Sequence, residues 1–439
     1  MVITEMRNVA EPKFFDRTTY GDSVPEALGW FLFWAFIIAH GFHIELAESL
    51  PYYRELFCGA FGILLCWVWA KKLYCLKESL NLDIDLNFLL YILGTFLLVC
   101  YVFIFPITLN FITDWGNKEA ILGSSYWRNY YIRNLLLYVP LVSFFSTFRP
   151  TKIKVLITCL FFLVAALVSM HVLLSASNGI GIFSLSEGLL VSRNTLLYNS
   201  HSPYLAFGFT CGLILFYSLS FRQIWSWIVI GLCILLLYWI IIGSSRQAML
   251  FIFLMLFFMV FYFYVIQPRG GILLYLGAAS ALVISGCLFV AWVFPDIIAK
   301  VYGRLETMPE GFITRARIMA SNIDMMKKDD WILGGGVYNY MGTGAHNDYI
   351  RWSQRIGVPL AFLTFMPYFV NILLIWKKAK FISPPVITFC FSGIFFTLYN
   401  SVFGYPREDA FQSFICFAVL GISFGLLSPT HHEKLCCRL

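Results

Sequence analysis

Four residues have the type and the surroundings to do chemistry in an otherwise oily chain: Arg246, Arg315, Arg317 and His346. Arg246 stands alone between two apolar runs, in Gly243-Ser244-Ser245-Arg246-Gln247. Ser244 or Ser245 can cap a helix starting there, whose first N–H groups are unpaired and positively polarised. An arginine in that first turn opposes the helix dipole unless an anion neutralises it. A phosphate does so, held by the guanidinium fork and the helix end together. The other reading is an arginine snorkelling to lipid headgroups.

His346 lies in GGGVYNYMGTGAHNDYIRWSQRIG, Gly334 to Gly357, the polar end of a long loop. Tyr349, Trp352 and Ile356 make an apolar stripe at helical spacing, which predicts a short helix starting near Asn347. His346 at its N-terminus faces a dipole that disfavours the imidazolium, leaving a neutral ring able to accept a proton. A histidine that only caps the helix or bonds a carbonyl fits the pattern equally. Upstream, GFITRARIMASNIDMMKKDDWILGG reads as one amphipathic helix carrying Arg315 and Arg317, with Phe312, Met319, Ile323 and Met326 at helical spacing. It can lie on a bilayer with Arg317 turned to a neighbour, or carry solvated basic residues. Arg193 and His201, in RNTLLYNSHSPY, are further candidates for binding substrate on the same side.

Several chemistries are excluded. The triple glycine is followed by no Gly-Lys-Ser/Thr, so it is not a nucleotide loop. Asp329 and Asp330 lack a third ligand, and the twelve cysteines include no CxxC or Cys/His spacing, so neither a metal nor another cofactor is expected. His40, His43 and His171 sit in or beside apolar runs as packing residues, and His431 and His432 read as solvated.

The elements that must position these residues are membrane helices. The 439 residues are 60% hydrophobic and 13% charged, against roughly 25% charged in soluble domains. Apolar runs long enough to span fall at 26–44, 54–70, 87–110, 132–148, 154–174, 202–220, 224–242, 247–266, 271–294, 358–376, 384–404 and 410–427, about twelve in all. With both termini cytoplasmic, the short inside segments hold sixteen lysines and arginines against seven outside. That orientation puts Arg246, Arg315, Arg317 and His346 on one outer face. The +7 net charge follows from loop topology and calls for no nucleic acid. The expected fold is all-α and polytopic. It has a cytoplasmic tail 1–25, helices one to nine over 26–294, an outer loop subdomain 295–357, helices ten to twelve over 358–427 and a cytoplasmic tail 428–439.

Three blocks together resemble the bacterial O-antigen ligase and polymerase family. GSSRQAML is similar to the family's Ser-Arg at the start of a span. The stretch from Arg317 to Gly334 and Gly336 is similar to an arginine followed by Pro-x-x-Gly-x-Gly, with Trp331 where the proline stands. His346-Asn347, nine residues and then Gly357 match the ligase pattern, with Leu360 where it has Gly, Thr or Tyr. The resemblance implies metal- and nucleotide-independent transfer at the periplasmic face of the inner membrane. The donor would be an undecaprenyl-pyrophosphate-linked glycan and the acceptor the lipid A-core. In a polymerase the acceptor would be another lipid-linked glycan. By the same resemblance Arg246 and Arg317, with Arg315, hold the pyrophosphate, and His346 is the general base. The rival class, a flippase of anionic lipids, predicts charged residues within the spans; here ionisable residues gather at the outer edge.

Overall fold

A computed structural model describes residues 23–42, 52–75, 86–112, 136–176, 196–219, 223–242, 245–268, 308–324, 330–334, 347–404 and 412–427, with isolated positions between. Among these residues every regular element is helical and no strand occurs. In chain order they are α1 Val24–Gly41, α2 Tyr53–Cys75, α3 Leu86–Ile112, α4 Val139–Ser146, α5 Lys152–Ala176, α6 Leu196–Ser218 and α7 Ile224–Ile242. There follow α8 Arg246–Phe261, which runs on into a π-helical turn Tyr262–Ile266, then α9 Met308–Asp324 and α10 Asp330–Leu333. The last four are α11 Asp348–Ile356, α12 Val358–Lys377, α13 Pro384–Phe403 and α14 Gln412–Leu427.

Among the described residues seven helices are long and apolar enough to cross a membrane: α1, α2, α5, α7, α8 with its π turn, α12 and α13. Proline opens several of them, within the first two residues of α1, α12 and α13. There its missing N–H is one the helix could not have paired, and its fixed φ suits the first turn. The expected span 132–148 is not one continuous helix. Tyr138 sits in a turn, and α4, with Pro140 in its first turn, is only eight residues long.

The core is organised on α13 and α14. All of α14 and most of α13 are buried, as expected of helices that are apolar all round. α13 packs against α5, α6, α8, α11, α12 and α14, while α14 also packs against α4. Phe414 of α14 meets Phe33 and Phe36 of α1 and Phe162 of α5, with ring centroids 4.5–6.4 Å apart among these four. Such tilted and edge-on contacts add to the burial of the rings.

Some polar side chains inside the bundle are paired across helices. The Asn87 amide (α3) donates to Asn371 Oδ1 (α12) at 2.5 Å, and the Asn371 amide donates to Ser423 Oγ (α14) at 2.7 Å. Lys154 of α5 and Glu26 of α1 form an ion pair at 2.6 Å. In a bilayer, where no water competes, such bonds tie helices that lipid tails would not drive together.

Candidate functional site

The candidate site is assembled on the last turn of α13. α8 reaches it first. Ser245 caps this helix, its Oγ accepting from the Ala248 N–H at 3.3 Å, so Arg246 is the first helical residue. Gln247, next along, donates from Nε2 to Asn400 Oδ1 at 2.5 Å, and its carbonyl accepts from the Tyr399 hydroxyl at 2.9 Å. Asn400 is held in turn by donating to the Phe396 carbonyl at 2.8 Å. These bonds fix the start of α8, and with it the base of Arg246, against α13.

α11 docks on the same turn. Asn347 caps it, with Oδ1 accepting from the Ile350 N–H at 3.0 Å and Nδ2 donating to the Val402 carbonyl at 3.2 Å. Val402 lies in the final turn of α13, where carbonyls lack helical partners, so one asparagine satisfies both helix ends. The Tyr349 hydroxyl donates to the Leu398 carbonyl at 2.9 Å, and the Ser401 hydroxyl reaches Asp348 Oδ2 at 3.4 Å. Below α11, Leu98, Trp352, Ile356, Ala361 and Phe365 form a small core of their own.

α9 comes third, resting on α11. The Gln354 amide donates to the Asn322 carbonyl at 2.5 Å, again in a last helical turn. This places Arg315 within electrostatic range of Arg246. The Arg315 pKa is lowered from the ordinary guanidinium value, first by loss of solvent and then by repulsion from Arg246, with Tyr399 opposing. Arg315 is exposed by total area, so the desolvation is partial and the group remains a cation at neutral pH.

Two glycines close the arrangement. Gly334 has φ 74° and Gly357 has φ 79° with ψ 155°. Their backbones lie against each other's neighbours: a Cβ on Gly334 would overlap the Arg355 carbonyl, and one on Gly357 would overlap the Ile332 carbonyl. The Tyr101 hydroxyl of α3 lies 2.5 Å from the Leu333 carbonyl and 2.9 Å from that of Arg355, bridging both sides of this clasp. Only glycine offers both the positive φ and the close approach.

The structure thus brings together Arg246, Arg315 and Asn347 around one helix end. Arg317 is exposed on α9. Two positions beyond Arg315, it is turned by roughly 200° about the helix axis, so the two arginines do not share a face. His201 is buried within α6, because that helix is surrounded by α5, α7, α8 and α13. His346 and Arg193 lie outside the described residues. The stretch 311–335, expected as one helix, divides into α9 and the four-residue α10. Sequence reasoning missed Gln247, Tyr399, Asn400 and Tyr101. Asn400 carried a signal: an amide near the end of an apolar run needs a partner. Among the described residues no group of three His, Cys, Asp or Glu side chains could hold a metal. Compared with models of known protein families and with curated proteins, the chain gives no match.

Proposed function

We propose that the chain is a membrane glycosyltransferase moving a glycan from an undecaprenyl-pyrophosphate carrier to the lipid A-core, as an O-antigen ligase does. The observation that carries this reading is the Arg246–Arg315 pair. Arg315 is partly desolvated and lies near enough to Arg246 to feel its charge, and among the described residues neither arginine has a carboxylate partner. Like charges kept together without compensation suit an anion that arrives with the substrate, and arginine forks match phosphate oxygens. The likeness of the Ser-Arg, Arg…Gly-x-Gly and His-Asn…Gly blocks to that family supports the same reading.

In this reading the chain has about twelve spans, both termini in the cytoplasm, and a periplasmic loop subdomain over 295–357. The acceptor hydroxyl oxygen attacks the anomeric carbon and gives its proton to His346. The bond from that carbon to the pyrophosphate oxygen breaks, and undecaprenyl pyrophosphate leaves with the electron pair. Arg246 and Arg315 take up the charge developing on the leaving group, and Arg317, on another face of α9, leaves that role to Arg315. Asn347 orients the acceptor end, and Arg193 contributes a substrate contact. Removing one such electrostatic contact commonly costs about 10²–10³ in rate.

A polymerase, joining one lipid-linked glycan to another, is the second reading. It is favoured by Leu360, which stands where the ligase pattern has Gly, Thr or Tyr and packs instead into the small core under α11. The deciding experiment uses purified protein in lipid nanodiscs with a lipid-linked glycan and either acceptor, without metal or nucleotide. Transfer that is lost in Arg246→Ala and His346→Ala, with both variants inserted normally, supports the proposal. Full activity in either variant overturns its assigned role, and no transfer to either acceptor overturns the transferase reading.

A further inference from the structure

α10 carries the least expected surface in the protein. Its Trp331, Ile332 and Leu333 are 44%, 68% and 58% exposed. The segment is nevertheless fixed in place. Leu333 is bonded to Tyr101, Gly334 and Ile332 lie in the glycine clasp, and α10 packs on both α11 and α12. Three large apolar side chains are therefore presented outward on a braced backbone.

Directly beyond Gly357 begins the exposed apolar stripe of α12. Val358, Phe362, Phe369 and Leu373 are all exposed, Phe362 by 61%, at spacings that place them on one helix face. The α3 helix beside it exposes Leu89, Leu93 and Phe96 in the same manner. In membrane-crossing helices such stripes are the surface that meets acyl chains. Because α10 is clasped to the head of α12, its three side chains carry that surface past the helix end. The preceding sequence, Lys327-Lys328-Asp329-Asp330, marks an abrupt return to charge.

We propose that Trp331, Ile332 and Leu333 form a wedge seated among the acyl chains of the leaflet on the site's side of the membrane. The wedge fixes the depth of the Gly334–Gly357 clasp, and so holds α11 at headgroup level. Its occupant is bilayer lipid, by continuity with the lipid-facing stripe of α12. The inference concerns bilayer contact and stands whether or not the transferase reading holds.

The test is fluorine NMR of the full chain labelled with fluorotryptophan in nanodiscs of phosphatidylethanolamine and phosphatidylglycerol. Of the thirteen tryptophans, the resonance missing in Trp331→Phe is that of Trp331. Lipids carrying a doxyl spin label just below the headgroup should remove most of its intensity, and a water-soluble gadolinium chelate should leave it largely intact. Ile332→Asp cannot keep its carboxylate among acyl chains, so in that variant the chelate should broaden the Trp331 signal; the resonance that changes this way also assigns Trp331 if Trp331→Phe fails to fold. Broadening of the parent signal by the chelate and not by the doxyl lipid would overturn the proposal. So would silence to both reagents, which would mean that protein covers the wedge.

Discussion

Replacing Gly357 by alanine probes the clasp that joins α10 to α12. At φ 79° and ψ 155° the position lies in a region open essentially to glycine alone, and a side chain there costs about 1–3 kcal/mol in strain. The added methyl also meets the Ile332 carbonyl, a backbone group with no rotamer to escape into. Relief requires Ile332–Gly334 to move away from Arg355–Gly357, which breaks the Tyr101 bridge to Leu333 and Arg355. The two carbonyls share the one hydroxyl proton, and the hydrogen bond lost there is worth about 0.5–1.5 kcal/mol net. A combined local cost of about 3 kcal/mol corresponds to roughly a hundredfold shift in the opening equilibrium. Domains typically hold about 5–15 kcal/mol in all, so the bundle stays folded while the clasp loosens. Hydrogen–deuterium exchange in nanodiscs, read on peptides covering α10 and α11, should show protection lower by about two orders of magnitude. Peptides from α5, α6 and α13 should be unchanged, and the proposed transfer activity should fall. Gly334→Ala should act alike, and the double variant should cost little more than either single one, because both break the same contact. Exchange in α10 and α11 identical to that of the parent would refute the clasp.

Because the fold lowers the Arg315 pKa, the charged form is less stable in place than in water, and removing it relieves repulsion. Arg315→Gln should raise the thermal midpoint slightly at low salt, with the gain shrinking as salt screens the pair. Added pyrophosphate should raise the midpoint of the parent and not that of the Arg246→Gln, Arg315→Gln double variant. Asn371→Ala removes the centre of the Asn87–Asn371–Ser423 relay and should cost about 0.6–1.7 kcal/mol per bond, the range for helix–helix hydrogen bonds in membranes; denaturant-free thermal aggregation in nanodiscs measures it. Gln247→Ala unfastens α8 from Asn400 and, in the proposed transfer, should raise KM for the lipid-linked donor more than it lowers kcat, since Arg246 is misplaced rather than removed.

The membrane helices were legible where apolar runs end sharply. The expected 224–242 coincides with α7, and 358–376 falls one residue short of α12. The short helix beginning near Asn347 was legible because an asparagine cap and an apolar stripe are both local signals. What joins these pieces was not. Tyr101 acts on Leu333 and Arg355 from more than two hundred positions away, and no local pattern encodes such a bond. The separation of Arg315 from Arg317 was readable in principle, since residues two apart on a helix never share a face. Which of the two would meet Arg246 depended on how α9 lies on α11, and that is set by Gln354 and Asn322. The split of 311–335 into α9 and α10 was hidden by apolar residues that keep helical spacing past the end of α9.

Pinning Gly334 to Arg355 and Asn347 to Val402 has a consequence for how this protein can change. α11 is thereby held at both of its ends, by Val402 at Asn347 and by the clasp at Arg355 and Gly357. A substitution that loosens one end leaves the other to keep the helix in place, so this part of the fold tolerates single changes better than paired ones.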